Sequence, residues 1–306
     1  MQTLVTGISG FVGAALAPRL RAGGHAVRGF TRCAARVRVE VDELVEGDAV
    51  SGAGLDRALD RVEVAYYLIH SMEGATARSA FPDLERDAAR RFAQAAARAG
   101  VRRIVYLGGL VPGAGAVPSR HLASRLAVEE TLLEAAPESI ALRASIVVAA
   151  RSRAFRFLVR LIERLPVLAL PAWRVHRTQP IDGRDLLEFL LAAATGPADL
   201  AGSWDVAGPD LMTYEELIDR IADAMLVDRR KLRLGLSMTP VAAVVAAQVA
   251  GEELGLIEPL MESLEHDLLP RDERAAEAFG VRLHRFDAAV ERALRDWERE
   301  EALAAR

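Results

Sequence analysis

A short apolar run, Thr3-Leu4-Val5-Thr6, leads into Gly7-Ile8-Ser9-Gly10-Phe11-Val12-Gly13 within the first thirteen residues. This TGxxGxxG segment constrains the chain more than any other feature, because its glycines do separate jobs between a strand and a helix. Gly7 permits a tight turn, Gly10 lets backbone approach a pyrophosphate, and Gly13 lets helix and strand pack closely. The N-terminus of the following helix offers unpaired N–H groups and a positive dipole end to phosphates. The segment predicts a dinucleotide-binding loop, with Thr6, Ser9, Phe11 and Val12 completing the cradle.

The downstream pattern fits that loop. Strands are expected at His25 to Thr31, within Val37 to Val45, and at Val62 to Ile69, Ile104 to Leu107, Ile140 to Ala149 and Trp204 to Val206. Helices are expected at Phe11 to Arg21, kinked by Pro18, and at Pro82 to Ala99, His121 to Ala136, Ala154 to Leu165 and Asp185 to Ala194. In Pro82 to Ala99, Leu84, Ala88, Phe92, Ala95, Ala96 and Ala99 share one stripe. Apolar strands alternating with helices imply an α/β fold, a doubly wound parallel Rossmann sheet. The expected division is a dinucleotide-binding domain over 1–150 and a smaller, mainly helical substrate lobe over 151–306, with 177–207 returning to the Rossmann core. A proline-punctuated loop is expected through Pro166, Pro171 and Pro180.

The end of the second strand selects the cofactor. An acid there holds the adenosine ribose 2′-hydroxyl, whereas arginine suits a 2′-phosphate. The segment reads Gly29-Phe30-Thr31-Arg32-Cys33, with Arg36 nearby and no acid before Glu40. Arg32 therefore points to NADP(H) ahead of NAD(H). A net charge of −4 gives no basic excess for nucleic acid. The single cysteine, Cys33, excludes an internal disulfide and suits a reducing, cytoplasmic setting. The opening residues lack the basic region of a signal peptide. The uncharged stretch Leu234 to Gly251 contains Pro240 and Gln248 and reads as buried helix rather than a membrane span. No histidine, cysteine or carboxylate cluster has metal-ligand spacing.

The glycine motif, Arg32 and Gly47-Asp48 together resemble the short-chain dehydrogenase/reductase superfamily, and more narrowly its extended or atypical, NmrA-like members. Tyr66 to Met72, Ile104 to Leu110 and Arg177 to Ile181 resemble a bacterial subgroup known as NAD(P)H-binding or epimerase/dehydratase-like proteins. That subgroup often has an extra C-terminal domain, which is expected to be absent here. The resemblance implies that Asp48 and Ala49 flank the adenine and that His70 and Ser71 lie near the nicotinamide-side ribose. It also places Gly108 and Gly109 at the fifth strand end, and Arg143 to Ile146, with Ala144 and Ser145, beside the nicotinamide.

The catalytic positions depart from the superfamily, whose chemistry uses a Ser or Thr, a Tyr, and a Lys four residues after the Tyr. Here the serine position is Gly109, and the corresponding helical segment is His121-Leu122-Ala123-Ser124-Arg125. No tyrosine has a lysine four residues on, and the only lysine is Lys231. Two readings stay open. In one, His121 donates the proton and Arg125 grips ribose or phosphate, both on one helical face. In the other, Arg125 pairs with Glu129 and His121 is an edge residue. Ser119, Ser124, His176 and Gln179 are weaker polar candidates. The helix carrying Arg151, Arg153, Arg156, Arg160 and Arg164 opposite Phe155, Leu158, Val159 and Ile162 is basic and amphipathic. It suits a solvated face ahead of an anionic substrate or membrane surface. The apolar stretch Pro240 to Leu264 suits lobe core, and the helix Asp287 to Ala304 is expected to be solvated outside a Leu/Ala/Trp stripe.

The resemblance implies a monomeric or homodimeric NADP(H)-dependent oxidoreductase acting on a small apolar carbonyl or quinone-like compound. The missing Ser-Tyr-Lys set leaves a non-catalytic dinucleotide sensor or assembly factor as the rival. A nucleotide-sugar epimerase or dehydratase ranks third, because it needs the absent tyrosine and lysine.

Overall fold

The computed structural model describes residues 1–69, 81–113, 119–235 and 264–303. Its strands are β1 (Gln2–Thr6), β2 (Ala26–Thr31), β3 (Glu43–Glu46), β4 (Val64–Tyr67), β5 (Arg103–Gly109), β6 (Ile140–Ala144), β7 (Val147–Val148), β8 (Val167–Leu170), β9 (Arg177–Thr178), β10 (Ile181–Asp182), β11 (Gly202–Val206), β12 (Met212–Thr213) and β13 (Arg230–Arg233). Its helices are α1 (Phe11–Ala22), α2 (Leu55–Leu59), α3 (Phe81–Ala99), α4 (Arg120–Leu133), α5 (Arg153–Arg164), α6 (Gly183–Thr195), α7 (Tyr214–Ala224), α8 (Ala275–Ala278) and α9 (Phe286–Glu298).

Seven strands form one parallel sheet in the order β11-β6-β5-β4-β1-β2-β3. The order reverses beside β1, as in doubly wound dinucleotide-binding sheets. Central strands are covered on both faces and mainly apolar, with Arg103 and Arg143 as buried charged exceptions. Successive residues of β4 show the two-residue period. Val64 and Tyr66 pack with Leu16, Leu20, Leu186 and Leu190 of α1 and α6. Ala65 and Tyr67 pack with Leu55, Phe92 and Leu132 of α2, α3 and α4. On α3, Ala88, Phe92, Ala95 and Ala96 are buried, and the small side chains let the helix lie close to the sheet. A third core belongs to the lobe, where α5, α7 and α9 bury Phe155, Val159, Leu217, Ile221, Val290, Leu294 and Trp297.

Several elements differ from the sequence reading. Of the strand expected within Val37 to Val45, only Glu43–Glu46 pairs, while Val37, Val39 and Val41 pack against the α1-side core. The expected Ile140 to Ala149 strand is two. The Ser145 N–H donates to Val206 O, the Ile181 N–H donates to Ile146 O, and β7 pairs with β10. The proline-rich loop contains β8, which pairs in parallel with β13. That pairing joins segments about sixty residues apart, so no local pattern announces it. β11 lies beside β6 in the main sheet, with Ser203 opposite Ala141 and Asp205 opposite Arg143.

Part of the basic face of α5 is covered by protein. The Arg156 and Arg160 guanidiniums lie 4.2 and 4.9 Å from the Trp297 ring, and both pair with Glu301. Arg151 pairs with Glu300 at 2.7 Å. The segment that ends α9 thus supplies carboxylate partners to Arg151, Arg156 and Arg160. No helix among the described residues is long and apolar enough to cross a membrane. Pro240 to Ser263 and most of Leu234 to Gly251 lie outside the described residues, as does Ala304.

A buried charge chain joins α4, β6 and β11. Arg143 donates to Glu129 at 2.7, 2.9 and 3.1 Å and lies 3.7 Å from Asp205. Asp205 accepts from Arg271 at 2.8 and 2.9 Å. The paired carboxylates hold the Arg143 pKa above its ordinary value despite desolvation by burial. Removing one partner of such a pair strands a buried charge. Glu129→Ala is therefore expected to lower unfolding free energy by about 3–5 kcal/mol, read from urea denaturation midpoints, with Glu129→Gln recovering part of the loss.

Candidate functional site

The carboxyl ends of β1, β2, β4, β5 and β6 open onto one cavity of about 660 Å³, shared with the lobe. Small-molecule sites have this scale, and α/β sheets bind ligands where the strand order reverses. The glycine loop forms one wall, with Gly7, Ser9, Gly10, Phe11, Val12 and Gly13 all lining it. Gly7 has φ +64°, and a Cβ there would stand 2.6 Å from Leu68 O. A Cβ at Gly13 would stand 2.5 Å from Gly7 O. The turn closes through the Gly10 N–H on Gly7 O at 2.9 Å. No side chain caps α1 at Gly10, which leaves first-turn N–H groups for a ligand. This is a cradle that side chains would fill, and it fits a dinucleotide pyrophosphate.

Thr6 does not line the cavity. It is fully buried, donating to Tyr66 O at 2.9 Å and accepting from the Leu68 N–H at 3.0 Å. It braces β1 against β4 and positions the loop. At the β2 end, Arg32, Cys33 and Arg36 line the cavity, with both arginines exposed. Neither guanidinium has an ion pair or hydrogen bond among the described residues. Asp48 and Ala49 stand beside them. The Asp48 carboxylate accepts from the Val50 and Ser51 N–H groups at 3.2 and 3.3 Å, fixing its own turn. His70 and Ser71 lie outside the described residues.

Gly108, Gly109, Ala144 and Ser145 line the opposite end, where Gly109 and Ala144 are paired across β5 and β6. Arg143 does not join them, because its side chain is held by Glu129 and Asp205. His121 and Arg125 line the cavity one α4 turn apart. Arg125 donates to Leu107 O at 3.2 Å. The expected alternative, an Arg125–Glu129 pair, does not form, since Glu129 is occupied by Arg143 and Ser203. Burial, and then the nearby Arg125 charge, push the His121 pKa down to about 3. The ring is neutral near pH 7, so an imidazolium proton donor is not what this position offers.

The weaker candidates have structural partners. Ser119 caps α4, accepting from the Leu122 N–H at 3.3 Å. Ser124 donates to Glu85 at 2.7 Å. His176 Nδ1 lies 2.8 Å from Leu264 O, and Gln179 donates to Gly208 O at 3.4 Å. The sequence reading missed Thr178, Tyr214, Phe157, Leu158 and Leu268, which line the lobe side of the cavity. Thr213 and Glu216 form a capping box that places Tyr214 at the start of α7. That box is visible in the sequence as Thr-x-x-Glu, but the surface against which it sets Tyr214 is not. No metal-holding group of His, Cys, Asp or Glu occurs among the described residues.

The resemblance read from the glycine motif holds. Residues 3–140 match the model of the NAD dependent epimerase/dehydratase family, and solved structures 13–20% identical share the Rossmann-like fold over nearly the whole chain. A short-chain dehydrogenase/reductase superfamily protein from Agrobacterium tumefaciens with bound NAD is 20% identical. The two cover 98% of each other's chains at a TM-score of 0.73. UDP-glucose 4-epimerase from Thermotoga maritima with UDP-glucose is 13% identical, covering 98% of this chain and 99% of its own, at 0.73. MoeE5 with UDP-glucose and NAD is 17% identical, with the same coverage, at 0.72. No curated protein matches the chain.

The depressed His121 pKa links the site to acid stability. Unfolded, the ring titrates near 6.5; folded, it stays neutral to about pH 3. Between those values the unfolded state binds the extra proton, so stability falls as pH drops below about 6.5. His121→Gln is expected to flatten a large part of this slope, measured as Tm from pH 7.5 to 4.5. An unchanged slope would mean that His121 titrates normally in the folded chain.

Proposed function

We propose that the chain is an NADP(H)-dependent oxidoreductase acting on a small apolar carbonyl compound. One observation carries the reading: a single cavity joins the glycine cradle and two unpaired guanidiniums to an aliphatic and aromatic recess in the lobe. Arg32 and Arg36 offer charge-assisted hydrogen bonds where a ribose 2′-phosphate would sit. Leu110, Ile146, Phe157 and Leu158 offer the recess apolar surface.

When bound, the nicotinamide supplies the hydride. The chain's own residues orient and exclude water. Gly109 and Ala144 give the β5 and β6 ends no bulk, which leaves room for a ring there. Arg125 contributes positive charge on one wall, and its bond to Leu107 O fixes where that charge stands. His121 meets the site as a neutral ring, so the proton that completes the alcohol comes from solvent or a hydroxyl.

A second reading, a nucleotide-sugar epimerase or dehydratase, is favoured by the family match over 3–140 and by UDP-sugar-bound structural neighbours. Against it, His121 and Arg125 occupy the positions of that chemistry's tyrosine and lysine.

The test titrates NADPH and NADH into wild type and an Arg32→Ala/Arg36→Ala variant. NADPH affinity is expected to fall about 10- to 100-fold while NADH affinity changes by less than about twofold. Equal loss for both would remove the NADP(H) assignment. In turnover, NADPH oxidation by a ketone panel supports the oxidoreductase. Conversion of UDP-glucose without ketone reduction supports the second reading, and cofactor binding with neither reaction supports a sensor.

A further inference from the structure

The lobe side of the cavity contains a polar feature distinct from the glycine cradle and the α4 residues. Ser145 follows β6, Thr178 ends β9 and Tyr214 opens α7, and all three line the cavity. They are buried, with 8%, 0% and 2% of their surface exposed. The Ser145 and Thr178 hydroxyls lie 3.3 Å apart and share one hydrogen bond. The Tyr214 hydroxyl has no hydrogen-bond partner among the described residues. Thr178 lies close enough to act on the phenol as a side-chain partner, but the two hydroxyls do not reach hydrogen-bond geometry, and Thr178 shares its bond with Ser145.

A buried phenol O–H without an acceptor is costly, and native proteins keep few of them without a reason. This one borders a cavity whose nearby walls, Ile146, Phe157, Leu158 and Leu268, offer no acceptor side chain. The ring is also held in place. Trp173 meets it edge-on at 6.1 Å, and the capping box fixes the start of α7. The hydroxyl is therefore a fixed donor at the cavity wall. Its desolvated setting keeps it protonated, raised above the ordinary phenol range. An acceptor that is neutral suits it better than an anion, because the trio brings no cation of its own.

We propose that Tyr214, Thr178 and Ser145 form the subsite that recognises the substrate, taking a neutral carbonyl oxygen carried on an apolar skeleton. Tyr214 donates to that oxygen, and the Thr178–Ser145 pair lines the approach to the β6 end, where the hydride acceptor would lie. This inference rests on the oxidoreductase reading for its connection to chemistry, but the recognition itself can be measured without turnover.

The experiment titrates NADPH-loaded protein calorimetrically with acetophenone, ethylbenzene and benzoate, which share a skeleton and differ in the oxygen group. Wild type is expected to bind acetophenone about three- to tenfold more tightly than ethylbenzene, the range of one neutral hydrogen bond. Tyr214→Phe keeps the ring and is expected to abolish that preference while leaving ethylbenzene and NADPH affinities unchanged. Thr178→Val reduces the preference in part. Tyr214→Phe is also expected to hold or raise the Tm of the protein without ligands, because it removes a hydroxyl that lacks a partner. Equal binding of acetophenone and ethylbenzene, a preference that survives Tyr214→Phe, or tighter binding of benzoate would overturn the proposal. The last result would point to Arg151 or Arg153 at the rim. NADPH oxidation is read in parallel. A wild-type ketone preference that Tyr214→Phe abolishes, with no turnover in the wild type, refutes the oxidoreductase reading alone, whereas turnover with an unchanged KM in Tyr214→Phe refutes the subsite alone.

Discussion

The contact between Gly7 and the end of β4 sets the geometry on which the rest of the site depends. Leu68 O stands where a Gly7 Cβ would be, and Gly7 O stands where a Gly13 Cβ would be. Backbone thus meets backbone at two successive points with no side chain between. This draws the N-terminus of α1 against the sheet and leaves its first-turn N–H groups at the cavity rather than against protein. Thr6 secures the same junction from behind, bridging Tyr66 O and the Leu68 N–H. A methyl group at Gly7 or Gly13 would have to move a strand, not a rotamer.

A second constraint fixes the far side of the cavity. Glu129, Arg143, Asp205 and Arg271 run as alternating charges from α4 through β6 and β11 to the C-terminal segment. Buried ion pairs add little net stability compared with apolar packing, but they tolerate few alternative arrangements. Here they hold α4, and with it His121 and Arg125, against the ends of β5 and β6. Because Glu129 is committed to Arg143, Arg125 is left to bond Leu107 O beside the cavity. One ion pair placed away from the site thereby decides which cation reaches it.

The lobe closes the cavity with elements that have little local signature. β8 and β13 pair across a long loop, β9 and β12 pair as two-residue strands, and α5 lays its arginines over Trp297. The α5 sequence alone reads as a basic surface helix. Only the arrival of α9, with Glu300 and Glu301 at its end, turns those charges inward as partners.

The glycine spacing and the apolar alternation were enough to read the Rossmann sheet, and with Arg32 they pointed to residues that line one cavity wall, because each is a local rule of backbone sterics or charge. Gly7, Gly10 and Gly13 act within a few residues of one another, and so do Arg32 and Arg36. The break at Ser145 and the Asp205 partner of Arg143 depend on neighbours about sixty residues away, and the depressed pKa of His121 comes first from burial, which is not written at a single position. By itself the sequence determined a dinucleotide-binding turn between a strand and a helix, since only glycine permits those backbone contacts. The tertiary structure decided which hydroxyls line the lobe side of the cavity, because Ser145, Thr178 and Tyr214 come from three distant segments and meet only when the lobe packs on the sheet.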